Sequence, residues 1–117
     1  MSAEATWTLA DGEELHAKAP DTFELPERWE RCNLRLNSLV KLMFLYAEPV
    51  EGLRGERMWV EVTVGVGKGS ERTMYFGKVR NHAAHPKLLP SYDEQVSFEP
   101  KHVLAVAPVP PGDLVLQ

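Results

Sequence analysis

Between Glu56 and Val64 apolar and polar residues alternate without a break: Met58, Val60, Val62 and Val64 fall on one side, and Arg57, Trp59, Glu61 and Thr63 on the other. Successive side chains of an extended chain point to opposite faces, so this spacing predicts a half-buried strand with one tryptophan on its outer face. A second alternation runs through Thr73, Tyr75, Gly77 and Val79, within Glu71 to Asn81. The segment between the two runs, residues 65–70, holds Gly65, Gly67 and Gly69 and reads as a hairpin tip. A lone hairpin is marginal in water, so further elements must cover its apolar face.

The flanking sequence supplies them. Leu34, Leu36 and the apolar run Leu39 to Tyr46, with alternation around Lys41, predict a strand before the hairpin, and Gln95 to Phe98 predicts a short one after it. Trp7 to Leu9 suits a short edge strand, whereas Asp11-Gly12 and residues 19–21 read as turns. Pro26 followed by Glu27 suits a first helical turn, which gives a short helix over about 26–33 with Trp29 and Cys32 on one face. Residues 82–91, with Pro86 and Pro90, read as a loop. Pro108, Pro110 and Pro111 exclude a regular central strand in the apolar stretch 103–109, leaving a proline-rich tail over 107–117. Three or four strands and one short helix cannot cover both faces of a flat sheet. The expected fold is therefore a β-rich α+β domain, its antiparallel sheet strongly bent or closed into a small barrel.

At 117 residues the chain suits one domain, 1–117. Thirteen Lys and Arg against seventeen Asp and Glu give a net charge of −4, the wrong sign for a protein held to nucleic acid mainly through phosphates. The single cysteine, Cys32, forms no internal disulfide and requires no oxidising compartment. The longest apolar run, Leu42 to Ala47, falls far short of the roughly 20 residues of a membrane span, and the acidic start lacks the basic and apolar regions of a signal peptide. A cytoplasmic protein without a membrane partner is expected.

Gly55-Glu56-Arg57-Met58-Trp59-Val60-Glu61-Val62 resembles the hallmark strand of a bacterial family, the domain of unknown function 2314. The resemblance extends over about residues 23–106, through Phe23-Glu24-Leu25-Pro26, Leu39 to Phe44, Gly77-Lys78-Val79-Arg80-Asn81 and Gln95 to Val103. It supports reading Leu39 to Tyr46 as a strand. The chain departs from the family pattern between Asn81 and Pro86 and at Tyr92-Asp93-Glu94, both in the loop before the last strand. The family brings no established activity, and none is implied here.

Few residues suggest chemistry. His82-Ala83-Ala84-His85 has half the spacing of a metal site, and a third ligand would come from His16, His102 or Asp93. The glycines around Lys68 fail the phosphate-loop spacing, and no helix pattern follows them. Arg28 and Arg31 flank Cys32 without a histidine nearby, so a buried or half-buried helix cysteine is expected rather than a nucleophile. No serine lies in a nucleophile elbow, and the carboxylates Glu56, Glu61, Asp93 and Glu94 read as solvated strand ends. The stripe Arg57, Trp59, Glu61 suits recognition, because tryptophan and arginine are enriched at interface hot spots, unless the 26–33 helix or the proline-rich tail covers Trp59, which would make it core.

The leading expectation is a non-enzymatic bacterial protein-interaction module needing no cofactor. Its binding residues would be Arg57, Trp59, Tyr75, His82, His85 and Tyr92, and its partner another protein, as for an immunity or antitoxin-like protein neutralising a basic target. A homodimer through an open strand edge is a further form. Two other classes stand beside it. One is a small barrel binding nucleic acid or nucleotides, with Arg57, Arg72, Lys78, Arg80 and Lys87 converging beside Tyr75. The other is a metal-dependent hydrolase built on His82 and His85.

Overall fold

The computed structural model describes residues 7–50, 52–69, 71–82 and 90–107. Among these residues the chain forms a strongly curled antiparallel sheet, a half-barrel, with a few short helices, which is the expected β-rich α+β architecture. The sheet order is β1 (Trp7–Leu9), β2 (Leu39–Val50), β3 (Leu53–Lys68), β4 (Glu71–Val79) and β5 (Gln95–Phe98). A two-residue strand, β6 (Ala105–Val106), shares the outer edge of β2 with β1: β1 pairs with Phe44 to Tyr46, and β6 with Val40 and Lys41. The strands thus outnumber the three or four expected, because short edge strands complete β2. Gly52 (φ +84°) and Gly69 (φ +64°) supply the left-handed residues of the two connections that fold β2, β3 and β4 into a meander.

Alternation decides what lies inside. Val40, Leu42 and Phe44 of β2, Met58, Val60 and Val62 of β3, Tyr75 and Val79 of β4, and Val96 and Phe98 of β5 form one buried cluster with Val103. Each such side chain contributes about 1.5–3 kcal/mol on burial. At Gly77 β4 approaches β3 so closely that a Cβ would lie 2.5 Å from the Glu61 carbonyl oxygen. A register shift between Val62 and Val64 accompanies this close approach, as an extra residue in one strand increases local twist.

That shift corrects one expectation. Val64 pairs with Phe76 on the outer face and is 47% exposed, although it continues the inward alternation of Met58, Val60 and Val62. The inserted residue moves Val64 and Val66 to the opposite face, before a second register shift between Val66 and Gly67. β3 also runs on to Lys68, through the glycines that read as a hairpin tip.

Two helices precede β2. Helix α1 (Gly12–Lys18) replaces the turn expected at Asp11-Gly12: the Asp11 carboxylate caps it by accepting from the Glu14 N–H at 3.1 Å. Glu13 and Glu14 sit at its positive end and His16 and Lys18 at its negative end, an arrangement the helix dipole favours. Helix α2 (Arg28–Arg31) is shorter than the expected 26–33 helix, opening on a capping box of Glu27 and Glu30. Cys32 already stands outside it as the C-terminal cap, so Trp29 and Cys32 do not share a face: Trp29 is 66% exposed and Cys32 is buried and free. Buried Arg31 ties these pieces together, donating to Pro26 O at 3.0 Å, to Glu13 Oε2 at 2.7 Å and to Pro100 O at 3.3 Å. The last contact reaches a single 3₁₀ turn (Pro100–His102) that leads the chain back into Val103 and β6.

Candidate functional site

The outward side chains of β2, β3 and β4 lie side by side because the register fixes them. Lys41 stands opposite Trp59 and Met43 opposite Arg57. Lys41 Nζ sits 4.8 Å from the Trp59 ring centroid, a cation–π contact that leaves the tryptophan half-buried beneath its neighbour. Arg57 is exposed, with its guanidinium 6.0 Å from the Phe23 ring.

Arg80 extends this row towards the turn before β5. Its backbone N–H donates to Trp59 O at 2.8 Å, its Nε donates to Glu61 Oε1 at 2.8 Å, and a second guanidinium nitrogen donates to the Asp93 carboxylate. The Glu61 hydrogen bond raises the guanidinium pKa and outweighs the opposing effect of burial, with the Asp93 hydrogen bond adding to the rise. Arg80 also faces Tyr92 at 5.9 Å, and Tyr92 stacks on His82 with centroids 4.6 Å apart. Trp59, His82 and Tyr92 therefore share one surface through Arg80, and Arg57 flanks it beside Trp59. His85 lies outside the described residues, as does most of the expected 82–91 loop.

Tyr75 does not belong to this surface, which corrects its assignment as a binding residue. It is fully buried and stacks on Phe98 at 5.3 Å. Its hydroxyl donates to Arg31 O at 2.8 Å and accepts from the Leu34 N–H at 3.2 Å, so it pins segment 31–34 to the inner face. Burial is the main cause of its raised pKa. The alternation of β4 turns residues 75, 77 and 79 inward together.

The other expected groupings are spoken for elsewhere. Among the described residues no three His, Cys, Asp or Glu side chains come together as metal ligands. His16 Nδ1 lies 2.6 Å from Phe23 O, His102 Nδ1 accepts from the Glu99 N–H at 2.9 Å, and Asp93 holds Arg80. Of the cations expected to converge beside Tyr75, Arg80 is neutralised by Glu61 and Asp93, Arg72 lies across Gly65, and Lys87 is outside the described residues. Glu56 accepts from the Tyr46 hydroxyl at 3.1 Å; burial first, and then this carboxylate, push the Tyr46 pKa up to about 12.

Sequence reasoning missed a second surface, at the far end of the hairpin. Val64 (47%), Val66 (49%) and Leu36 (61%) are exposed there, and a cleft of about 490 Å³ opens between residues 34–36 and β3. Arg35 and Arg72 line it. The alternation carried no signal for this surface, since the register shift that turns Val64 outward depends on pairing with β4.

A scan against protein-family models, a search of curated proteins and a search of solved structures each return no match to the chain. The fold and its surfaces thus define the molecule by themselves: a small β half-barrel with a filled interior and an outer face rich in apolar side chains.

Proposed function

We propose that this protein is a non-enzymatic interaction module that docks on another protein through the outer face of its half-barrel. The observation that carries the reading is the apolar content of that face. The outer side of an antiparallel sheet facing water is normally polar. Around Trp59 it carries exposed Leu39 and Leu45 beside half-buried Met43 and Trp59. Apolar groups left together at a surface favour association, and a tryptophan flanked by Lys41 and Arg57 is suited to anchor it.

The absence of catalysis in this reading rests on engaged side chains. Glu61 and Asp93 grip Arg80, and His16 and His102 are bound to their own backbone. The partner in this reading is a basic protein, complementary to the net charge of −4, as in an immunity or antitoxin-like pair. Membership of the domain of unknown function 2314 family, and with it a bacterial cytoplasmic setting, is part of the proposal and rests on the strand 55–62.

The test is capture from host lysate with wild type, Trp59→Ala and Leu45→Glu, each shown by circular dichroism to melt like a folded domain. Wild type is expected to retain one protein partner that both variants lose. Equal capture by folded variants would refute docking through this face.

A further inference from the structure

Among the described residues the far half of β3 is paired on one side only. β2 accompanies β3 only as far as Leu39, opposite Glu61, and the last contacts on that side are Asn37 N–H to Val62 O at 2.7 Å and Val62 N–H to Ser38 O at 2.9 Å. At Asn37, whose φ is +72°, the chain turns out of the ladder. From Thr63 to Lys68 β3 keeps β4 on one side and, among the described residues, has no strand on the other. A strand edge of this kind is a template for a further strand. The cleft of about 490 Å³ lies along it, between Leu34, Arg35, Leu36 and Thr63, Val64, Gly65.

The charges beside the edge name the occupant. Arg35 and Arg72 both line the cleft, and neither has an ion-pair partner among the described residues, whereas Arg28, Arg31 and Arg80 each have a carboxylate. Gly65 leaves room for this arrangement, for a Cβ there would lie 3.0 Å from the Arg72 side chain. A second copy of the chain is disfavoured at this place. Symmetric pairing of two such edges would bring the arginines of both copies together, and like charges across an interface repel.

We propose that the β3 edge between Val64 and Lys68 is a strand-addition site for an extended acidic peptide segment of a partner protein. Backbone hydrogen bonds to the edge give the peptide its register. Its alternate apolar side chains meet Val64 and Leu36, and its carboxylates meet Arg35 and Arg72. This rests on the reading of the protein as an interaction module but adds a surface separate from the one around Trp59, one that takes an acidic segment rather than the basic partner of that face.

The probe is a capped hexapeptide of alternating valine and glutamate, titrated by ¹⁵N NMR against the full chain. Three controls go with it: the valine–lysine peptide, the valine–glutamate peptide N-methylated at alternate amides, and the variant Arg35→Ala, Arg72→Ala. Both arginines are exposed, so the variant keeps the fold. Shifts are expected at residues 34–38 and 63–72, with binding about tenfold weaker for the variant and for each control peptide. Equal binding of the lysine or N-methylated peptide, shifts confined to the Trp59 face, or no binding at millimolar peptide would each overturn the proposal. So would a concentration-dependent dimer in sedimentation that Val64→Asp abolishes, since it would make a second copy the occupant. If the peptide fails while lysate capture still depends on Trp59 and Leu45, strand addition falls and the interaction-module reading stands.

Discussion

The two halves of β3 have the same kind of sequence and opposite fates. Around Val60 and Glu61 the strand is paired with both β2 and β4, and Met58, Val60 and Val62 are at most 1% exposed. From Val64 to Val66 it pairs, among the described residues, with β4 only, and its valines are about half exposed (47% and 49%). One register shift and the loss of one neighbouring strand separate them. Burial of a valine is thus a property of its neighbours, and a pattern of every second residue names a strand without naming its inner face once the pairing slips.

The largest effect should come from exchanging the two environments' tolerance for charge. Val60→Asp buries an unpaired carboxylate and is expected to remove about 3–5 kcal/mol, enough to unfold a marginal domain, whereas Val64→Asp should shift stability by no more than about 0.5 kcal/mol. Urea denaturation of the pair measures both. Unfolding by Val64→Asp would break the comparison.

A smaller effect tests the close approach at Gly77, beside the register shift between the halves. Gly77→Ala forces a Cβ against the Glu61 carbonyl and is expected to cost about 1–3 kcal/mol, as overpacking does. Gly69→Ala has open space around it and strains only the left-handed backbone of the tip, at about 1–2 kcal/mol. The sharper signature is structural: amide shifts for Gly77→Ala should spread along β3 and into segment 31–38, and those for Gly69→Ala should stay at the tip. Equal spreading would refute a special role for the close approach at Gly77.

The smallest effect is one of pH at the base of the inner half. Burial lowers the pKa of His102 below its ordinary 6.5, and the neutral ring accepts the Glu99 N–H that caps the 3₁₀ turn. Asp11 and Glu99 oppose that shift and Lys101 adds to it. A histidine whose folded pKa lies below its unfolded value gives stability that is full above about pH 6.5 and is lost as pH falls through the folded pKa. Wild type should therefore weaken between pH 7.5 and pH 5 more steeply than His102→Gln, in which an amide oxygen replaces the ring nitrogen as acceptor. Parallel pH slopes would show that His102 does not titrate in folding.

Much of the fold was legible because strands announce themselves by period. The core positions Leu42, Met58, Val60, Val62 and Val79 follow from alternation, and Cys32 is buried as expected. Helix α1 was legible in principle, since Asp11 followed by Glu14 and the charges at both ends are capping signals, yet Asp11-Gly12 also reads as a turn and the helix buries only Gly12. The candidate surface was half legible. Trp59 and Arg57 point outward by the same alternation that places Val60 inward, but Tyr75, taken for a binding residue, is held inside by Arg31 and Leu34, which lie more than forty positions away in sequence.

By itself, then, the sequence determined the strands, the meander and the filled interior, because side-chain alternation and turn-forming glycines act over a few residues. The tertiary structure alone decided that Tyr75 closes the core, that Arg80 binds Glu61 and Asp93, and that among the described residues the end of β3 pairs with β4 on one side only, beside Arg35 and Arg72. Those outcomes depend on which strand lies beside which and in what register, a choice made between distant segments that no local pattern records.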